Sequence, residues 1–216
     1  GLGSRDLGAQ EATPVANSNR SPWNADNLVK GLTPASLGLI LSQVRAGEVP
    51  ADYLALAQEI ERRDLHYRSV LSTRKHSVES LNLAVEAASD DPRDEEIAEA
   101  VRRDIMRHPG IRDLLKNALD ALGKGFSVNE IIWDSDGGMW KPKEFLFRDP
   151  RWFQYDREDC RALFLRAPMG NELTPLRKFK YIVHEPNLLS GPQIMAGLSY
   201  TALYLWLVKH YNLTSW

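Results

Sequence analysis

The short sequence Gly123-Lys124-Gly125 contains the residue types that can bind a phosphate group. Glycines let backbone N–H groups approach an anion, and a lysine ammonium can then reach it. A P-loop also requires an earlier glycine and a serine or threonine after the lysine. Those two positions are held by Ala118 and Gly125. We therefore interpret the glycines as the C-terminal cap of a helix and a tight turn into a strand.

A second pattern, Asp134, Asp136 and Gly137, has the spacing with which a calcium-binding loop begins. Such a loop closes with a glutamate that binds the cation through both oxygens, and that position is Phe145 here. The glycine also comes two residues too early. A hairpin turn between two strands is the better interpretation.

The other residues capable of catalysis or metal binding are scattered. Cys160 is the only cysteine, and no histidine lies near it at the spacing of metal ligands. No serine lies in the glycine elbow of a hydrolase. The histidines show no metal-ligand spacing either: His66, His76, His108, His184 and His210. The sequence predicts no catalytic residue, no metal and no cofactor, and a nuclease or hydrolase is the less favoured alternative.

The charges of the chain are nearly balanced. Lys and Arg total 27 against 29 Asp and Glu, a net charge of -2, so the chain has no general attraction to phosphate. The basic stretch Arg62 to Lys75 could form a nucleic-acid-binding module. Acidic residues interleave it, which favours a solvated helix face: Glu59, Glu61 and Asp64.

Hydrophobic periodicity predicts five helices in the first half of the chain. They run from Pro34 to Gly47 with Thr33 as N-cap, then over about 50–63, 65–77, 94–107 and 111–122. Between the third and fourth, Leu81, Leu83 and Val85 alternate with polar or small residues, which predicts a half-buried strand.

After Gly123 the pattern becomes that of short strands. We predict strands over 126–133, 143–148, 152–156, 161–166 and 179–184. Residues 197–216 return to a helix that is apolar all round, which further chain or another subunit must cover. No secretion signal or membrane span is expected. The predicted fold is α+β: a flexible arm (1–31), helices followed by a small antiparallel or mixed sheet (32–196), and a long helix (197–216).

The segment from Gly123 to Trp133 resembles the portal proteins of Mu-like bacteriophages, which carry the pattern K-G-[FY]-[AS]-x-x-E-[IL]-x-W. The likeness extends from about Thr33 to Trp216 and includes the later run Phe147 to Phe153. The residues that carry this signature are Lys124, Gly125, Phe126, Glu130, Trp133, Asp149, Pro150 and Phe153.

The resemblance implies a structural protein and not an enzyme. Portal subunits form a ring, usually of twelve, at one vertex of the capsid, and such a heterologous ring must close by rotation. Double-stranded DNA passes through the ring during packaging and ejection. The implied partners are identical subunits, the large terminase, and the major capsid and head-completion proteins, in the host cytoplasm during assembly and then in the virion.

The resemblance also implies that this chain is the N-terminal portion, containing the outer wing, with the terminal helix as the candidate for the start of the first stem helix. A channel for sliding DNA should carry few strong phosphate contacts, since each one adds affinity. Lys209 and His210 form the strongly polar pair late in the terminal helix. They are the candidates to face the channel, and the alternative is an ordinary pair facing solvent.

Overall fold

The computed structural model describes residues 12, 31–135, 140–167 and 172–214. Within them the chain is a mixed fold of helices and two small antiparallel sheets that ends in a long helix, which confirms the predicted α+β class. Apart from Ala12 and Gly31, the predicted arm lies outside the described residues, as does most of the predicted hairpin turn after Asp134.

The helices of the described residues follow the predicted order, although one predicted helix is divided in two and one short helix was not predicted. They are α1 (Pro34–Arg45), α2 (Ala51–Arg63), α3 (Leu65–Glu79), α4 (Pro92–Val101), α5 (Ile111–Ala118), α6 (Ala121–Lys124), α7 (Gln193–Ala196) and α8 (Leu198–Thr214). The fourth helix continues into a π-helical turn, Arg102–Met106. None of these helices has the length and apolar character needed to cross a membrane.

The start of α1 shows how local sequence sets a boundary. Thr33 caps the helix: its hydroxyl accepts a hydrogen bond from the backbone N–H of Ser36 at 3.1 Å, and the Ser36 hydroxyl accepts one from the N–H of Thr33 at 2.9 Å. Pro34 occupies the first helical turn, where no N–H is needed. The apolar face predicted from the sequence is buried: Leu37, Ile40, Leu41 and Val44.

Two three-stranded antiparallel sheets form the second half. The first has the order β2-β1-β6, with β1 (Ser127–Asp134) between β2 (Lys141–Arg148) and β6 (Tyr181–His184). The second has the order β3-β4-β5, from Phe153–Tyr155, Leu163–Arg166 and Leu173–Pro175. The prediction of one sheet missed β5 and the division in two, because pairing between distant strands leaves no periodic signal.

The prediction of a strand around Leu81, Leu83 and Val85 is wrong. These residues form no strand in the described part of the chain, and Leu81 and Leu83 are exposed. The backbone of Val85 is held by a side chain instead: the Arg102 guanidinium donates to its carbonyl oxygen at 2.8 and 2.9 Å. Alternation predicts a strand only when a partner strand is present to bond with.

The core lies where α1, α2 and α8 meet the two sheets. The ring of Phe126, just before β1, packs edge-on against Tyr155 of β3, with centroids 5.3 Å apart. Phe153 of β3 makes a similar contact with Tyr181 of β6 at 6.1 Å. These aromatic contacts join the two sheets into one core.

The turn into β1 touches the segment before α8 backbone to backbone. Gly125 has a φ of +96°, and a Cβ on it would lie 2.3 Å from the carbonyl oxygen of Gln193. From the other side, a Cβ on Gly197 would lie 2.5 Å from the Gly123 oxygen. Both positions therefore require glycine, which confirms the interpretation of Gly125 as a helix cap.

Replacing Gly125 with Ala should lower the free energy of unfolding by about 2 to 4 kcal/mol, because the change combines a strained φ with a backbone clash. Gly38, in the interior of α1, is a matched control, since nothing lies within 4 Å of its Cβ position. Gly38→Ala should be neutral or stabilise by up to about 1 kcal/mol. Thermal unfolding followed by circular dichroism measures both, and equal melting temperatures would contradict the account.

Candidate functional site

The signature residues surround β1, and the structure shows what each one holds in place. Lys124, at the end of α6, is almost fully buried and forms an ion pair with Asp120 at 2.7 Å. Its ammonium is therefore engaged by a carboxylate one helical turn earlier. This contact agrees with the interpretation of the glycine-lysine-glycine sequence as a structural turn.

Glu130 lies at the centre of a buried charge cluster. Its carboxylate is 0% exposed, yet it accepts a hydrogen bond from Arg148 Nε at 2.8 Å and lies 3.5 Å from Lys180 Nζ. Arg148 comes from β2, and Lys180 immediately precedes β6. The cluster therefore connects the three strands of the first sheet through side chains as well as through their backbones.

Burial has an electrostatic consequence in this cluster. Desolvation lowers the pKa of the Lys180 ammonium, and the Glu130 carboxylate partly opposes that shift. Sequence reasoning missed Arg148 and Lys180. A signal was available: Glu130 stands in an otherwise apolar stretch of β1, and a carboxylate buried there needs cations beside it.

The remaining signature residues fix the ends of strands. Trp133 donates from its indole Nε1 to the backbone oxygen of Phe179 at 2.7 Å, which connects the end of β1 to the residues before β6. Asp149 caps the short 3₁₀ turn Pro150–Trp152 by accepting from the N–H of Arg151 at 2.9 Å. Phe153 follows in the core as the first residue of β3, so the run from Asp149 to Phe153 is a turn that leads into this strand.

Lys209 and His210 lie on α8, but their side chains meet different neighbours. Lys209 Nζ is 3.0 Å from Oδ2 of Asp64, between α2 and α3. Oδ1 of the same carboxylate caps α3 by accepting from the N–H of Tyr67 at 2.9 Å. That backbone hydrogen bond, with help from Lys209, lowers the pKa of Asp64. His210 instead stacks on Trp206, with ring centroids 5.7 Å apart.

One side of α8 carries an exposed apolar stripe, although Leu203, Trp206 and Leu207 on its other side are buried. The exposed residues recur at helical spacing along one face: Tyr204, Leu205, Val208 and Tyr211. Leu205 is 68% exposed. Tyr211 also donates from its hydroxyl to the Leu32 oxygen at 3.1 Å. The stripe is part of the apolar helix surface that we predicted, from the sequence, to be covered by further chain or by another subunit.

Three of the five cations in the basic stretch from Arg62 to Lys75 form ion pairs with the acids that interleave it. Arg62 and Arg63 both contact Glu59, at 3.3 and 2.7 Å. Lys75 contacts Glu61 at 2.6 Å. Because half-buried ion pairs occupy these cations, the geometry favours a folded helix face over a nucleic-acid-binding module. In the described ranges, no group of three or more His, Cys, Asp or Glu side chains could hold a metal ion.

Glu130→Gln should lower the free energy of unfolding by about 3 kcal/mol or more, because Arg148 and Lys180 then remain buried beside a neutral amide. Glu144→Gln on the neighbouring strand β2 is the control, since Glu144 is exposed and such surface changes stay within about 0.5 kcal/mol. Chemical denaturation compares the two. A Glu130→Gln protein as stable as the control would show that the buried charges contribute nothing.

Comparison with known proteins gives a consistent result over most of the chain. The family described as "Portal protein of Mu bacteriophage" matches residues 54–216. A Mu-like prophage protein of Haemophilus influenzae, FluMu protein gp29, is 29% identical over 196 residues, which are 87% of this chain and 36% of that protein. The portal protein of Escherichia phage Mu is 28% identical over 185 residues, which are 84% of this chain and 35% of that protein.

The chain therefore spans about a third of the length of these curated relatives. The family match begins within α2 and continues through both sheets and α8. The matched range contains the positions of the expected signature residues, from Lys124 to Phe153. On this match, which covers well over half of its residues, the chain belongs to the family of Mu-like bacteriophage portal proteins.

Proposed function

We propose that this chain is the N-terminal part of a portal subunit, and that the full-length protein forms a ring, usually of twelve copies, at one vertex of the capsid. Double-stranded DNA passes through this ring during packaging and ejection. The protein acts without catalysis and without a cofactor. It works in the host cytoplasm during assembly and then in the virion, with the large terminase and the major capsid and head-completion proteins as partners.

The observation that carries the proposal is the exposed apolar stripe of α8 in a chain of this family. A row of Tyr and Leu side chains on one helix face is costly to leave in water, and burying it is favourable at roughly 25 cal/mol per Å². A ring built from heterologous contacts needs such a surface on every subunit. In the proposed division, residues 32–196 form the wing and α8 begins the first stem helix.

Leu205→Asp in the full-length protein tests the stripe as a contact between subunits. It should convert rings into monomers of unchanged circular dichroism, because each interface would bury an unpaired carboxylate. Leu39→Asp is the control, since Leu39 is 64% exposed but lies on α1, outside the proposed contact. Mass photometry and electron microscopy count the subunits. A wild-type protein that stays monomeric, or a Leu205→Asp protein that forms normal rings, would contradict the proposal.

The proposed channel role of Lys209 can be separated from its ion pair with Asp64. Lys209→Ala removes both the cation and the pair, whereas Asp64→Asn removes the pair, leaves Lys209 in place and keeps a residue that can cap α3. If Lys209 faces the channel, Lys209→Ala, alone or with His210→Ala, should reduce DNA packaging in intact rings, and Asp64→Asn should not. DNA packaging is measured as the amount of DNA protected from nuclease. Equal packaging by all variants would contradict the proposed channel role of Lys209.

A further inference from the structure

The turn at residues 177–180, which leads into β6 and is called the aromatic turn below, has an unusual backbone conformation. Phe179 has a φ of +60°, in the left-handed region that a bulky aromatic residue rarely adopts. The N–H of Lys180 donates to the Arg177 oxygen at 3.2 Å and closes the turn. Trp133 of β1 donates from its indole to the Phe179 oxygen at 2.7 Å. Contacts within the turn and with β1 therefore hold the strained conformation in place.

The aromatic turn displays its ring to solvent. Phe179 is 75% exposed, and the side chains of Arg177 and Lys178 are exposed beside it. Backbone strain of this kind persists only where surrounding contacts maintain it, and such outliers are concentrated at sites with a function. Aromatic and arginine side chains are also enriched in the surfaces through which proteins bind each other. The aromatic turn therefore suits a partner surface that is both acidic and apolar.

A surface of that composition lies on the same chain, in the segment that joins α3 to α4 and at α4 itself. It is a cavity of about 550 Å³, called the acidic cavity below, and its lining includes Glu86, Ala87, Ala88, Asp90, Glu95 and Arg102. The Arg102 guanidinium is already engaged by the Val85 oxygen at 2.8 and 2.9 Å and by Glu99 at 3.3 Å. An apolar cavity of about 150 Å³ can hold a benzene molecule, so the acidic cavity has room for a phenyl ring.

The charges of the two surfaces are complementary. The aromatic turn has two exposed cations, Arg177 and Lys178. The three carboxylates and one guanidinium that line the acidic cavity give it a formal charge of -2. Complementary charges steer a contact and fix its register. Because Phe179 is 75% exposed on its own subunit, its ring does not occupy the cavity of the same chain. A second copy of this chain offers each surface a complementary partner.

We propose that the aromatic turn of one copy docks into the acidic cavity of the next copy. The Phe179 ring packs on the side chains of Ala87 and Ala88, while Arg177 and Lys178 pair with the carboxylates of the cavity. Each copy provides one turn and one cavity, so the contact is head to tail, as a closed ring requires. The inference rests on the proposed ring and adds to it a second contact between subunits, separate from the stripe on α8.

Phe179→Asn in the full-length protein tests the contact of the ring, because asparagine tolerates a positive φ. Assembly should weaken about tenfold or more, measured by mass photometry as the subunit concentration at which half of the protein is assembled. The melting temperature of dissociated subunits should stay equal or rise, because the backbone strain is relieved. A fall in both assembly and melting temperature would show a structural role within the subunit and overturn the contact.

Charge reversal tests the electrostatic match. In the aromatic turn the reversal is Arg177→Glu with Lys178→Glu. In the acidic cavity it is Glu86→Lys with Asp90→Lys. Each pair alone should weaken assembly about tenfold or more, because like charges then face each other across the contact. The four changes combined in one chain should restore assembly, since every reversed turn then meets a reversed cavity. Failure of the combined protein to assemble better than either pair would overturn the match.

The matched control is Arg112→Glu with Lys116→Glu, two exposed cations on α5, which should leave assembly unchanged. Wild-type rings that are unaffected by Phe179→Asn and by both reversals would overturn this contact and leave the proposed ring standing. Turn variants that assemble normally but bind DNA less tightly would also overturn it, and would assign the aromatic turn to nucleic acid. A wild-type protein that forms no rings would contradict the proposed function and this contact together.

Discussion

The close approach of two backbone segments, residues 123–125 and 193–197, is the constraint on which the rest of the fold depends. Both sides lack a Cβ where they touch, at Gly125 and Gly197, and a Cβ at either position would clash with the facing backbone. One segment opens β1 and the other opens α8. The contact therefore sets, at one point, the direction of the central strand of the first sheet and the origin of the terminal helix.

The residues of the expected family signature make mainly structural contacts around that point. Lys124 neutralises Asp120, Phe126 fills the core, Glu130 joins three strands, and Trp133 reaches the backbone of Phe179. These contacts account for the glycine, aromatic and charged residues of the pattern.

Sequence alone predicted most of the local structure, because capping and apolar periodicity act over a few residues. Thr33 with Pro34, and the apolar face from Leu37 to Val44, were sufficient to place α1 correctly. Non-local pairing was not predictable in this way. The alternation at Leu81 to Val85 gave a strand that does not form, and β5 was missed, since both depend on which distant backbone is available.

The same distinction between local and non-local contacts applies to the candidate site. The signature positions could be found from their order in the sequence, but Arg148 and Lys180 became partners of Glu130 only through strand pairing. The place of Lys209 on a long helix was predictable, whereas its contact with Asp64 required the packing of α8 against the junction of α2 and α3.

The contact between Lys209 and Asp64 also bears on the position of the terminal helix along its own axis. An α-helix advances about 1.5 Å per residue, and the Lys209 to Asp64 separation is already 3.0 Å. If α8 slid along its axis by a single residue while the Lys209 side chain kept its conformation, the ammonium would leave hydrogen-bond range, but the flexible stem of the lysine can follow such a slide. Because Lys209 is more than half exposed, the pair contributes at most about 1 kcal/mol. The pair therefore favours the observed axial position of α8 but resists a slide only weakly.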